Sequence, residues 1–114
     1  MIIDTKAYSK GYDLPISQVD EMIRYVEENN KRDKTRNPNE WWNNFDKNIN
    51  EFYFTFISGE FKGNIDEKLK RISIATKRTG AAIAIISLIK LANEVKAERM
   101  NLEEVKKIFS NKVF

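Results

Sequence analysis

Strand-like and helix-like segments alternate along the chain, and this alternation constrains the fold more than any other feature. The strand-like segments are short, rich in apolar and β-branched residues, and span residues 2–7, 51–58 and 80–86. Between the first two, apolar residues recur at intervals of three and four from Ile16 to Val26, as in an amphipathic helix. Strands joined through helices usually run parallel. The pattern therefore predicts an α/β fold with a mixed sheet flanked by helices.

The ends of the first helices are indicated by capping patterns. Pro15 suits the first turn of the first helix, which should end in the polar stretch of residues 29–34. Asn37, Pro38 and Glu40 resemble a capping box that would open a second, short helix. That helix would contain three aromatic residues that we expect in the core, Trp41, Trp42 and Phe45.

Two further helices are expected in the C-terminal half. Ser87 is placed to cap a helix that runs to about Met100, and Asn101 with Glu104 forms a capping box for a last helix ending near Asn111. Before them, a helix should present one apolar face made of Ile65, Leu69, Ile72 and Thr76.

The composition limits both size and chemistry. A chain of 114 residues with 41% hydrophobic residues fits one small domain spanning residues 1–114. The absence of cysteine excludes disulfides and thiolate zinc sites and suits a reducing cytoplasm. The absence of histidine excludes histidine general bases and zinc deaminases. The longest apolar run, which begins at Ala81, is too short to span a membrane, and a formal charge of +3 gives only weak support for a phosphate-rich partner.

An acidic residue and a lysine stand two positions apart in the first strand-like segment. Asp4 and Lys6 would project from one face of a strand, with Thr5 facing away. The carboxylate is a suitable ligand for Mg²⁺, and the lysine can position a water molecule and offset charge on a phosphate. A triplet of this kind also arises by chance in many chains, so its meaning depends on the rest of the sequence.

Several blocks of sequence, in a fixed order, extend over nearly the whole chain. They are 4–9, 11–12, 14–16, 20–22, 24–29, 37–42 with the paired Trp41 and Trp42, 51–52 with Phe54, 58–59 with 61–64, and 102–105. In this order they resemble the cleavage domain of FokI-type, type IIS restriction endonucleases of the PD-(D/E)xK nuclease group. The resemblance implies a restriction-endonuclease-like core and Mg²⁺-dependent hydrolysis of double-stranded DNA without sequence preference. It assigns Asp4 as metal ligand and catalytic residue and Lys6 as catalytic lysine.

The cleavage domain of that family starts earlier than this sequence. The resemblance therefore implies a C-terminal portion that lacks the first strands of the core, the first metal-binding aspartate and the N-terminal DNA-recognition domain. Asp13, Asp20 and Glu21 are nearby acids, but none matches the family's metal position. We expect weak Mg²⁺ binding and weak or absent cleavage by this chain alone, in a prokaryotic cytoplasm. The alternative is a catalytically incomplete fragment that dimerises, serves as a scaffold or binds DNA.

Asp20 and Arg24 lie four residues apart on the first predicted helix. Without the resemblance, they would be read as an exposed pair within one helix. By resemblance, they form reciprocal salt bridges across a weak two-fold homodimer. Ile23 and Arg36 depart from the family at neighbouring positions of that interface.

Basic residues are densest between positions 62 and 78. They could contact DNA phosphates without reading sequence, or simply form a solvated helix face. Gln18 occupies a region where some related nucleases place a glutamine that lines the site. The candidate phosphate contacts are Lys62, Lys68, Lys70, Arg71, Lys77 and Arg78.

Overall fold

The computed structural model describes residues 1–49 and 51–110, so the expected helix end near Asn111 lies outside the described residues. Within the described part, three strands alternate with four α-helices and one short 3₁₀ helix, which confirms the predicted α/β class. In chain order the elements are β1 (Ile2–Lys6), α1 (Ile16–Lys31), the 3₁₀ helix (Trp41–Asn44), β2 (Phe54–Ser58), α2 (Ile65–Thr76), β3 (Gly80–Ala84), α3 (Ile85–Lys96) and α4 (Leu102–Ile108).

The three strands form a parallel sheet in the order β1-β2-β3. Asp4 is in register with Phe56, and Lys6 is in register with Ser58. Among the described residues β1 pairs only with β2, so the strand that contains Asp4 and Lys6 lies at an edge of this sheet. The sheet thus presents both side chains beside a buried central strand.

The main core lies between one face of the sheet and helices α1 and α2. Val19, Met22 and Val26 of α1 are buried there, as the apolar spacing predicts. Ile16 is 48% exposed because α1 begins at this residue, beyond the edge of the core. All four residues predicted for the apolar face of α2 are buried, namely Ile65, Leu69, Ile72 and Thr76.

The other face of the sheet is covered near β3. Ile83 points away from the main core and lines a groove with Leu91 of α3 and Ile108 of α4. None of the helices in residues 1–49 and 51–110 is long and apolar enough to cross a membrane.

The predicted start of the short helix that contains Trp41 and Trp42 is wrong. The N–H of Glu40 donates to the Asn37 carbonyl at 3.0 Å, which closes a turn where the sequence indicates a capping box. Glu40 has a left-handed backbone conformation with φ of 46°, and the 3₁₀ helix begins after it. Trp42 is 4% exposed, whereas Trp41 and Phe45 are half-buried.

Three strand boundaries also differ from the prediction, the smallest difference being the end of β1 at Lys6 and not at residue 7. β2 begins at Phe54, not at Glu51, and β3 ends at Ala84, where α3 starts directly. Ser87 is therefore inside α3 and does not cap it, because the apolar run across this junction contains no residue that marks where strand becomes helix. α3 ends at Lys96, earlier than the predicted end at about Met100.

The capping box of α4 is confirmed. The N–H of Glu104 donates to the Asn101 side chain at 2.9 Å, and the N–H of Asn101 donates to the Glu104 carboxylate at 3.1 Å. The two residues thereby satisfy each other's backbone groups at the helix start.

Candidate active site

Asp4 and Lys6 project from the same side of β1. Ile2, Asp4 and Lys6 are half-buried, whereas Ile3 and Thr5 are exposed, as the two-residue period of a strand requires. The half-buried side faces α1, because Ile2 packs against the core cluster that α1 shares with the sheet. The strand therefore directs both functional candidates toward the same helix.

The two side chains form an ion pair. The Lys6 ammonium lies 3.1 Å from Asp4 Oδ1, and the Lys6 and Asp4 side chains are 32% and 25% exposed. The hydrogen bond to the Asp4 carboxylate raises the pKa of Lys6 above its ordinary value. Lys6 is consequently a positive charge at neutral pH, held next to the Asp4 carboxylate.

A cavity of about 410 Å³ lies between β1 and α1. The α1 residues that line it recur at intervals of three, one and three positions, so they share one face of the helix. The cavity is thus a cleft with two long walls. One wall is β1 with the two catalytic candidates, and the other is one face of α1 with polar and aromatic side chains. Its lining residues are Ile2, Ile3, Asp4, Lys6, Gln18, Glu21, Met22, Tyr25 and Trp41.

The α1 wall is fixed by aromatic contacts. The Tyr25 hydroxyl donates to Glu21 Oε1 at 3.0 Å. The Tyr25 ring meets Trp41 edge to face, with centroids 6.4 Å apart, and the Trp41 indole N–H donates to Glu28 Oε2 at 2.8 Å. These contacts hold the 3₁₀ helix and α1 together at the cleft.

The structure separates the three acids that stand near Asp4 in the sequence. Glu21 lines the cleft together with Asp4 and Lys6. Asp13 instead accepts from the Lys68 ammonium at 2.7 Å, and Asp20 faces Arg71 at 3.4 Å. Of these three acids, only Glu21 is brought to the candidate site.

Asp20 and Arg24 form no ion pair with each other within the described residues, so the interpretation as an intrahelical pair is wrong. The Arg24 guanidinium lies over the Tyr25 ring, 4.9 Å from its centroid. Both residues are exposed. Of their neighbours, Ile23 is half-buried against the core, and Arg36 is exposed beside Asp33.

The six basic candidates between Lys62 and Arg78 do not form one uniform surface. Lys68 and Arg71 are engaged by Asp13 and Asp20. Arg78 donates to the Asn30 side chain at 2.8 Å and lies over the Phe52 ring. The remaining three are exposed to solvent, namely Lys62, Lys70 and Lys77.

Sequence reasoning brought Gln18 to the site but missed Tyr25 and Trp41 as lining residues. The position of Tyr25 was predictable, because Gln18, Glu21 and Tyr25 are spaced so that they lie on one helical face. No comparable signal exists for Trp41, since its position depends on how residues 32–40 turn after α1.

The donor set fits a hydrated Mg²⁺ better than a closed metal site. The described residues include no group of three or more acidic side chains that could hold a metal. Asp4 and Glu21 are the carboxylates that line the cleft. Mg²⁺ commonly uses one or two carboxylates and fills its remaining positions with water and substrate phosphates.

Comparison with known families and relatives places the whole chain in one group. The family model of the FokI cleavage domain matches residues 1–114. The type II restriction enzyme FokI of Planomicrobium okeanokoites is 49% identical over 111 residues, which are 97% of this chain and 19% of FokI. The type II restriction enzyme StsI of Streptococcus sanguinis is 36% identical over 107 residues, which are 94% of this chain and 18% of StsI. The chain thus spans about a fifth of the length of these relatives.

Solved structures agree with the family match. Two solved structures of the restriction endonuclease FokI, one of them described as bound to DNA, each superpose with a TM-score of 0.93 at 48% identity. Each match covers 99% of this chain and 20% of the FokI chain. The protein therefore belongs to the FokI cleavage domain family.

Proposed function

We propose that this chain supplies the catalytic strand of a nuclease that hydrolyses phosphodiester bonds in double-stranded DNA with Mg²⁺. The observation that carries the proposal is the ion pair of Asp4 and Lys6, which lies in a cleft on a chain of the FokI cleavage domain family. FokI, a member of that family, has a structure bound to DNA, which supports DNA as the substrate.

The proposed roles follow from charge and position. Asp4 would hold Mg²⁺, and the bound ion would polarise a phosphoryl oxygen of the substrate. The hydrogen bond to Asp4 raises the pKa of Lys6 above its ordinary value, so we assign Lys6 the role of a cation and not of a general base. Its ammonium instead orients a water molecule by hydrogen bonding and offsets the negative charge that develops on the phosphate.

Contact with DNA is proposed to be independent of sequence. The exposed ammonium groups of Lys62, Lys70 and Lys77 are suited to phosphate contacts, which add affinity without reading bases. Lys68, Arg71 and Arg78 would have to exchange their intramolecular partners to contribute. Because the relatives are about five times longer, we assign sequence recognition to a part of the protein outside this chain.

We further propose a weak homodimer through Asp20 and Arg24. Each site would cut one strand, so cleavage of a duplex requires two copies of the site. A two-fold axis lets Asp20 of each protomer meet Arg24 of the other, which makes two identical ion pairs. Exposed pairs add little individually, so association should be weak.

A second candidate function is a catalytically incomplete module that dimerises or binds DNA. It is favoured by the small number of carboxylates in the cleft, because the described residues bring no group of three acids together. Such a module would bind DNA with a steep salt dependence and show no turnover.

Cleavage of supercoiled plasmid in Mg²⁺ at high protein concentration distinguishes the two candidates. For a nuclease we expect nicking that falls about 10²-fold or more in Asp4→Asn and in Lys6→Ala. Thr5→Ala is the matched control, because Thr5 lies between them and projects from the opposite side of β1. Absence of nicking by the unmodified chain would support the incomplete module. Nicking that survives in Asp4→Asn would contradict the assigned site.

A further inference from the structure

Glu21 belongs to the α1 wall of the cleft, and the proposed roles of Asp4 and Lys6 do not use it. Its half-buried side chain lines the same cavity as Asp4 and Lys6. The negative charge of its carboxylate also makes a small contribution to the raised pKa of Lys6. Asp4 and Glu21 thus bring two carboxylates to one cleft, together with the single ammonium group of Lys6.

The Glu21 carboxylate is oriented by the structure. Tyr25, one turn further along α1, donates its hydroxyl to Oε1. No other hydrogen bond or ion pair to Glu21 is found among residues 1–49 and 51–110, so Oε2 has no protein partner in that part of the chain. A carboxylate with one oxygen fixed and the other open is suited to accept hydrogen bonds from water held by a cation.

We propose that Glu21, oriented by Tyr25, is the second acidic group of the cation site in this cleft and binds the water shell of a divalent ion on Asp4. The inference rests on the proposed function, because it takes Asp4 as the ligand. Glu21 is a positioning residue, since it acts on the ion through water. The pair supplies two negative charges to a hydrated ion and leaves room for a substrate phosphate.

A matched residue on the same helix separates this role from a merely structural one. Glu27 is also a half-buried glutamate of α1, but it pairs with Lys31 at 3.4 Å and does not line the cleft. Replacing either residue by glutamine removes one negative charge from α1. Only the change at Glu21 removes it from the cleft.

Binding of Tb³⁺ to the purified chain provides the test without any need for cleavage. Trp41 and Tyr25 line the cavity, so an ion in the cleft should show sensitised emission when these rings are excited. In Glu21→Gln we expect the Tb³⁺ affinity to fall about tenfold, as for other residues that orient metal-bound water. Glu27→Gln should bind like the unmodified chain. Competition by Mg²⁺ should remove the emission in each case.

A second variant covers the case in which Glu21→Gln disturbs the fold. Tyr25→Phe keeps both carboxylates and the aromatic ring but removes the hydroxyl that holds Glu21. We expect a smaller loss of affinity, about threefold, with an unchanged thermal unfolding midpoint.

The outcomes separate this inference from the proposed function. Unchanged affinity in Glu21→Gln, with strong loss in Asp4→Asn, would overturn the role of Glu21 and leave Asp4 as the ligand. Loss in Glu21→Gln but not in Asp4→Asn would overturn the assignment of Asp4. Absence of sensitised emission from the unmodified chain would contradict both. Equal losses in Glu21→Gln and Glu27→Gln would indicate a general charge effect and overturn the inference.

Discussion

Arg71 Nη2 lies 3.4 Å from Asp20 Oδ1 and joins α2 to α1 within a single chain. Both side chains are more than half exposed, at 54% for Arg71 and 57% for Asp20. An exposed pair of this kind contributes about 0–1 kcal/mol to stability. In the proposed dimer, Arg24 of the partner must therefore compete with Arg71 for the same carboxylate.

Removing this competitor should strengthen self-association. In Arg71→Ala we expect the dimer dissociation constant to fall about two- to fivefold, because Asp20 is released to the partner. Arg24→Ala should weaken association instead. Sedimentation equilibrium measures both constants. Lys70→Ala is the control, because Lys70 is exposed and immediately precedes Arg71 in α2, and it should leave the dissociation constant unchanged. Weaker association of Arg71→Ala would contradict the proposed geometry.

The pair of Asp13 and Lys68 predicts a dependence of stability on acid pH. The hydrogen bond from Lys68 holds the pKa of Asp13 below its ordinary value of 3.8. A carboxyl group whose pKa is lowered by folding stabilises the fold above the unfolded pKa, and this stabilisation is lost as pH falls through the folded pKa. The contribution should therefore be present at about pH 6 and decline below the ordinary value.

A double-mutant cycle with Asp13→Asn and Lys68→Ala, followed by urea unfolding, isolates this contribution. We expect a favourable coupling at about pH 6 that is smaller at about pH 3 and continues to fall as the pH is lowered further. Coupling of equal size at both pH values would mean that the two side chains interact by packing and not by charge.

The two isoleucines of α2 should differ sharply in their effect on stability. Ile72 is 0% exposed in the core, whereas Ile74 is 80% exposed. We expect Ile72→Ala to reduce the free energy of unfolding by about 2–5 kcal/mol, because it leaves a cavity. Ile74→Ala should change it by less than about 0.5 kcal/mol. Urea titration measures the free energy of unfolding of both variants. Similar losses would mean that α2 is rotated about its own axis, so that Ile74 also contacts the core.

Gly80 is expected to tolerate no side chain. It is in register with Phe54, and a Cβ atom at this position would overlap with the ring and the carbonyl oxygen of Phe54. Gly80→Ala should therefore lower the free energy of unfolding by about 1–3 kcal/mol. Thr79→Ala, at the exposed neighbouring position, should be close to neutral. A neutral Gly80→Ala would mean that β2 and β3 can separate at this end.

The order and type of most helices and strands were predictable from the sequence. In these elements the spacing of apolar residues and the capping residues indicate the same element, and the apolar side chains are buried as their spacing requires. The apolar face of α1 from Val19 to Val26, the apolar face of α2 and the capping box of Asn101 and Glu104 are found as expected, whereas Ile16 is exposed. Predictions failed where local signals compete or are absent. Asn37 closes a turn with Glu40 and does not cap a helix, and the apolar run from β3 into α3 contains no boundary signal.

Prediction of the site reached the strand but only part of the opposite wall of the cleft, namely Gln18. The two-residue period of a strand was sufficient to put Asp4 and Lys6 together. Which of Asp13, Asp20 and Glu21 joins them depends on how α1 rotates against the sheet. That rotation is set by the packing of residues far apart in sequence.

The strand that presents Asp4 and Lys6 has a neighbour on one side only within the described residues. Its open side offers unpaired backbone groups, to which another strand could add at a spacing of about 4.8 Å. Such an added strand would extend the sheet in its own plane, whereas Asp4 and Lys6 project out of that plane toward α1. Assembly through β1 would therefore leave in place both the two side chains and the core between α1, α2 and the sheet.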